Sequence, residues 1–416
     1  MSCKPIQHIK VGLDFGGGVT PVGDLAIRDH QLYFQYSSDL LREGYDLSPI
    51  RLPRTSGLIT FDEQIFEGLP GVFNDSLPDG WGRLLFDRVM CRRGISLHSL
   101  SPLDRLAHVG HHGMGVLVYE PILSSDAETF DINLDHFYQT SHDLLEGEAS
   151  DILDQLLLLN GSSSGARPKA LIGFNRETNH LIHGSQTIPK GYQPWIVKFA
   201  NVHDGPDAGA MEYVYSQMAH DAGVKVPPTH LFPAKHGSGY FAVQRFDRAN
   251  QGHRLHMHTA CGLLHSDHRF PALDYKDLIE LTMVLTQDVR EVEQVFRLAV
   301  FNVMAHNRDD HSKNFSFLMD PTGEWKASPA YDLTFSMGPG GEQSTTVMGE
   351  GKSIRSDHLI ALGKHAQISE SMIQTIIKQT KDSLYQWRQL SKNHAVSGST
   401  NRQIQTHLEK MMHNVS

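Results

Sequence analysis

The chain has 416 residues, 39% hydrophobic and 20% charged, with a formal net charge of −10. That length exceeds one ordinary core, so two or three domains are expected, and the acidic balance argues against a nucleic-acid coat or a basic membrane-surface protein. Cys3, Cys91 and Cys261 form no C-x-x-C pair and suggest neither a disulfide framework nor a thiolate zinc site, which fits a reducing cytoplasm; no signal-like segment opens the chain, and no apolar run is long enough for a membrane span.

Residues 8–35 alternate in short apolar pieces separated by Gly16-Gly17-Gly18 and Asp29-His30, which predicts an antiparallel sheet of hairpins. LDFGGGVT is similar to the phosphate loop of the sugar-kinase and actin superfamily, although a Gly-rich hairpin turn is the ordinary explanation. Trp81, Leu84, Leu85 and Val89 define one side of a helix that Ser76 and Pro78 suit as a start and Gly94 as a stop. The polar and charged residues Asn74, Asp75, Asp79, Arg83 and Arg88 around it read as caps and dipole partners rather than as a catalytic cluster. A polar stretch follows, and a domain boundary is expected near 125–150.

A short helix over 151–159 leads into the loop NGSSSGAR, glycine- and serine-rich between that helix and the strand ALIGF. It lacks the GK[ST] of a Walker loop and suits either a glycine-rich loop over nucleotide phosphates, as in protein kinases, or an ordinary Ser-Gly linker. PWIVKFA then puts Lys198 in an apolar strand-like segment, either buried, where an ammonium needs an anion, or on the solvent face of an edge strand. The helical pattern over 211–222 offers Glu212 as its carboxylate partner. A hairpin-like pair ends in QRFDR, a linker with Gln244 and Phe246 as backbone partners for adenine. His256 and His258 alternate on an extended segment without a third ligand and read as solvent-facing or hydrogen-bonded.

Beyond residue 274 the patterns are helical. Val292, Val295, Phe296, Ala299 and Val303 give one face of a helix that Asp288 and Glu291 begin as a capping pair, and that helix delivers the polar segment NRDDHSKN. Asp309 and Asn314 stand five apart there, and Asp332 follows after a turn. Phosphoryl transfer needs a carboxylate to accept the hydroxyl proton, and an amide oxygen plus a second carboxylate to hold magnesium. His306, Asp309, Asp310 and His311 would also suit a metallohydrolase, but the spacing is not H-E-x-x-H, and that reading leaves Lys198, Asn314 and Asp332 without roles.

SLPDGWGR, SSSGARPK, WIVKF, QRFDR, NRDDHSKNFSF and SPAYDLTFS together resemble the HipA family of toxin kinases along nearly the whole chain. The resemblance implies an α+β, bilobal, protein-kinase-like fold, with an N-terminal subdomain over 1–125, a kinase N-lobe over 126–250 and a helical C-lobe over 251–416. It implies an ATP- and Mg²⁺-dependent serine/threonine kinase, cytoplasmic, whose protein substrates include aminoacyl-tRNA synthetases. A HipB-like helix-turn-helix antitoxin would restrain it and provide its only link to DNA, and no membrane partner is implied. Carried over by motif, Asp309 is the base with His311 beside it, and Asn314 and Asp332 bind Mg²⁺. Lys198, Gln244, Phe246, Ser164, Gly165 and Ala166 contact ATP, with Asp247 near the ribose. Ser162 matches the autophosphorylated serine and Ser164 is a second candidate; Arg167, where members vary, either contacts phosphate or faces solvent. The alternative is a non-catalytic co-repressor that keeps the fold only to hold an antitoxin.

Overall fold

The structure, a computed structural model, describes residues 5–62, 64–124, 130–147, 153–160, 165–183, 188–248, 252–270 and 272–415. Strands His8–Asp14, Val19–Arg28, Gln31–Tyr36 and Leu117–Glu120 form an antiparallel sheet with the first strand between the second and the fourth. Gly16 and Gly18 turn the first hairpin at φ of 101° and 120°, and Asp29 and His30 turn the second at 51° and 65°. Two successive positive-φ residues give the turn that matches the twist of paired strands. The glycine triplet is therefore a hairpin tip; Asp14 accepts from Gly16 N and Arg254, and none of it lines the cavity described below.

A second antiparallel sheet orders its strands His180–His183, Lys169–Asn175, Gln193–Lys198, Tyr240–Gln244 and Thr229–Phe232. Lys169–Asn175 is buried along six of its seven residues, as its run of apolar side chains requires of a strand covered on both faces. Register places Lys169 opposite Lys198 and Trp195 opposite Gln244. The helical half contains Tyr275–Thr286, Val289–Met304, Glu370–Leu384 and Gly398–Asn414. Val292, Val295, Phe296, Ala299 and Val303 are buried, the face that the periodicity predicts. Asp288 caps that helix by accepting from Arg290 N, but Glu291 closes no capping box: its carboxylate accepts from Ala327 N at 3.0 Å and ties the helix start to the strand Trp325–Ala327.

Among the described residues two apolar cores result, and they cut across chain order. The N-terminal sheet shares one with the helical half, through residues such as Phe34, Phe73, Tyr275 and Phe296. Helix Gly80–Arg92 leaves its own sheet and fills the other, where Trp81, Leu85, Phe86 and Val89 pack with Ile172, Trp195 and Val197. His256 and His258 are fully buried, so the solvent-facing reading fails and the hydrogen-bonded one holds: His256 pairs with Leu47 O, and His258 with Asp75 and Ser48. Among the described residues no helix is long and apolar enough to cross a membrane.

Candidate active site

A cavity of about 570 Å³ opens between the five-stranded sheet and the segment that follows helix Val289–Met304. The helix ends at Ala305, and His306 at φ 56° turns the chain out of it. Asp310 then anchors the segment. Its fully buried carboxylate accepts from Tyr275 OH at 2.7 Å, Gln343 Nε2 at 2.9 Å, Ser344 N at 2.9 Å and Thr345 N at 3.2 Å. With its neighbour fixed, Asp309 stands exposed on the cavity wall. Partial desolvation raises its carboxyl above the ordinary aspartate value; His311 opposes this and Asp332 adds to it, which makes the group a better proton acceptor.

Asn314 donates its amide N–H to Asp309 O at 2.7 Å, which leaves Oδ1 as its ligating atom on the same wall. Asp332 faces it from a backbone at φ 59°, a region sparsely occupied by residues other than glycine and enriched at functional sites. Lys198 Nζ lies between Glu212 and Asp332, 2.6 Å from Asp332 Oδ1 and hydrogen-bonded to Glu212 Oε1. Burial alone would discharge this lysine, but Asp332 and Glu212 outweigh it and hold the ammonium above the usual range. Glu212 comes from helix Ala208–Asp221, so the strand lysine has the helix carboxylate that its burial demands. Arg167 neither faces solvent nor stands alone: it pairs with Asp204 at 2.9 Å and approaches Glu212 at 3.7 Å.

Ile196, Val226, Val243 and Leu333 line the cavity as an apolar slot, and Gln244 and Phe246 line it too. Gln244 N donates to Pro228 O, so its N–H is spent; among the described residues Phe246 N–H pairs with no other group. The slot suits a flat heterocycle with its edge on this linker. Asp247 does not reach it. Its carboxylate is fully buried, bound by Arg245, Arg248 and Gly115 N, and absent from the cavity lining; it joins the linker to the N-terminal domain instead of facing a ribose. Gly165 and Ala166 line the cavity, while Ser162 and Ser164 lie outside the described residues.

Three groups on this wall escaped the sequence reading. Lys169 projects beside Lys198, and burial, against the attraction of Asp332, brings its ammonium down to about 8. His268 sits with its ring 5.3 Å from that of His311, and its imidazole is lowered to about 4 by burial and then by Lys313. Asp79 is the third, and it departs from expectation: it occupies the N-cap position of helix Gly80–Arg92 yet makes no cap bond, and instead accepts from Gly165 N and, at 2.6 Å, from Lys313 Nζ. Asp75 likewise accepts from Thr259 N and Oγ1 across the molecule. Arg83, paired with Asp87 four residues on, behaves as an ordinary surface charge of the helix, while Arg88 donates to Leu144 O at 2.6 Å.

Among the described residues no three His, Cys, Asp or Glu side chains are grouped to hold a metal ion. A cation between Asn314 and Asp332 would complete its shell with phosphate oxygens and water, the habit of Mg²⁺ at nucleotide sites. The donor set of one amide oxygen and one carboxylate fits such an ion.

Residues 161–388 match the HipA-like C-terminal domain and residues 17–120 the HipA N-terminal domain. Two proteins of Sinorhizobium fredii that carry kinase names are similar: Y4mE is 29% identical over 172 residues and Y4dM 24% over 272. The aligned parts cover 37% and 58% of this chain and 39% and 66% of those proteins, so the chain spans less than two thirds of the length of either. A chain of the Shewanella oneidensis MR-1 toxin–antitoxin complex of HipA, HipB and operator DNA superposes with a TM-score of 0.71, covering 98% of this chain and 97% of that one at 17% identity. That likeness establishes a common α+β, bilobal fold. The C-terminal match alone takes in more than half of the residues, and it contains Lys198, Asp309, Asn314 and Asp332; the chain belongs to the HipA family.

Proposed function

We propose that the protein is an ATP-dependent serine/threonine protein kinase and the toxin of a toxin–antitoxin pair, acting in the cytoplasm. The observation that carries this reading is the convergence on one cavity wall of Lys198, held by Glu212 and Asp332, with Asp309 and Asn314. Bound Mg·ATP supplies the transferable phosphoryl group and the cation that neutralises its charge. Asp309 takes the proton of the acceptor hydroxyl as that oxygen attacks, a role its raised carboxyl suits. Asn314 Oδ1 and Asp332 hold the cation. Lys198 and Lys169 receive phosphate oxygens, and Phe246 N–H meets the base. His311, whose buried Nδ1 has no partner among the described residues, stands beside Asp309 to orient the acceptor.

The protein substrate is a translation component such as an aminoacyl-tRNA synthetase, and the chain phosphorylates itself at Ser162 or Ser164. A HipB-like antitoxin restrains it and carries the only contact with DNA. Purified protein given Mg²⁺ and γ-labelled ATP is expected to label itself, and Asp309→Asn to lower the rate by at least about a hundredfold. Wild-type protein that neither binds ATP nor becomes labelled overturns the reading.

A further inference from the structure

We propose that Asp79, a residue of the N-terminal domain, is a positioning residue of the phosphoryl-transfer site, clamping the end of the glycine-rich loop to the segment that carries Asp309 and Asn314; this rests on the kinase reading above. Gly165 is held through both of its backbone polar groups by residues 79–81. Its N–H is taken by Asp79 Oδ1, and its carbonyl accepts from Trp81 N at 3.0 Å. Gly80, at φ 45°, lets the two backbones approach so closely that a Cβ there would lie 2.6 Å from Gly165 O. The other Asp79 oxygen holds Lys313 Nζ, which precedes Asn314.

The pair is well covered, with the Lys313 side chain 10% exposed and that of Asp79 25%. Burial pushes the Asp79 carboxyl up, but Lys313, the Gly165 N–H and Lys169 together keep it below the ordinary value, so the pair is charged. Two consequences follow for chemistry. The loop and the segment below it keep a fixed separation, which is the distance that phosphate must span between them. The ammonium of Lys313 is also kept off Asp309 and Asp332, two further carboxylates of this cavity, where it would weaken the base and compete for the cation. Trp81, the residue after the clamp, is 1% exposed in the core beneath the five-stranded sheet, so the carboxylate is delivered from a rigid base.

A double-mutant cycle read with hydrogen–deuterium exchange tests this. Asp79→Ala and Lys313→Ala are each expected to lower the rate of phosphate transfer from Mg·ATP at least about tenfold, with the double variant close to the worse single one. Asp79→Asn, which keeps an acceptor for Gly165 N but no charge for Lys313, should fall between wild type and Asp79→Ala. Exchange without nucleotide should rise in peptides over 165–169 and 309–314 in the Asp79 variants and stay unchanged elsewhere. Rates within about twofold of wild type, effects that multiply in the double variant, or exchange that rises throughout the chain overturn the assignment. Wild-type protein that transfers no phosphate sinks the kinase reading, and the exchange arm then decides separately whether Asp79 clamps the two segments.

Discussion

Asp309 and Asp310 are adjacent and chemically identical, and only their surroundings separate them. Asp310 satisfies four donors in the interior, whereas Asp309 accepts no bond from them and faces the cavity. Asp310→Ala strands those donors and is expected to cost about 3 kcal/mol, seen as a lower urea midpoint at unchanged slope. Asp309→Asn should cost less than about 0.5 kcal/mol by the same measurement while abolishing transfer. The sequence separated the pair by the five-residue step to Asn314, a local feature; the reason Asp310 cannot serve, its bonds to residues 343–345, is non-local and invisible there. Lys169 gives a pH prediction. Its ammonium titrates at about 8 in the free protein, and the charged form is the one that attracts phosphate. Affinity for ATP should therefore be full below pH 8 and fall as the pH rises through and beyond it, since the bound anion shifts the titration upward. Calorimetry between about pH 6.5 and 9.5 checks this, and Lys169→Arg, which stays charged, should flatten the profile.

Elements with strong periodicity were legible. Tyr275–Thr286 and Val289–Met304 show their buried stripes in the sequence, and the hairpins of the first sheet announce their turns through glycine triplets and Asp-His. Polar residues at element ends were misread for one reason: a side chain at a helix start has a local use, capping, and nothing local reveals when a distant group claims it instead. Glu291 goes to Ala327 N and Asp79 to Gly165 and Lys313. Asp247 was misplaced in the same way, because its donors include Gly115 N, far away in the chain. Glu291→Ala thus should leave the helix content seen by circular dichroism unchanged and cost about 1 kcal/mol through the strand Trp325–Ala327, with faster exchange at the Ala327 amide. Faster exchange across Val289–Met304 instead would restore the capping role.

At the scale of the whole molecule, the bilobal kinase arrangement could be inferred from the order of sheets, linker and helices, but the way the N-terminal domain is built into it could not. Its sheet contributes to the core of the helical half, and helix Gly80–Arg92 contributes Trp81, Leu85, Phe86 and Val89 to the core under the five-stranded sheet. Removal of one such large side chain from a core costs about 2–5 kcal/mol, and a domain's whole stability is about 5–15 kcal/mol. Deleting residues 1–120 strips several from each core at once and also takes the carboxylates that pair Lys313 and His258. The truncated chain is therefore expected to lack a cooperative thermal transition and to be cleaved by dilute protease throughout, although it retains Lys198, Asp309, Asn314 and Asp332. A sharp transition in that truncated chain would show that the kinase core stands alone and that the N-terminal domain is an attachment to it.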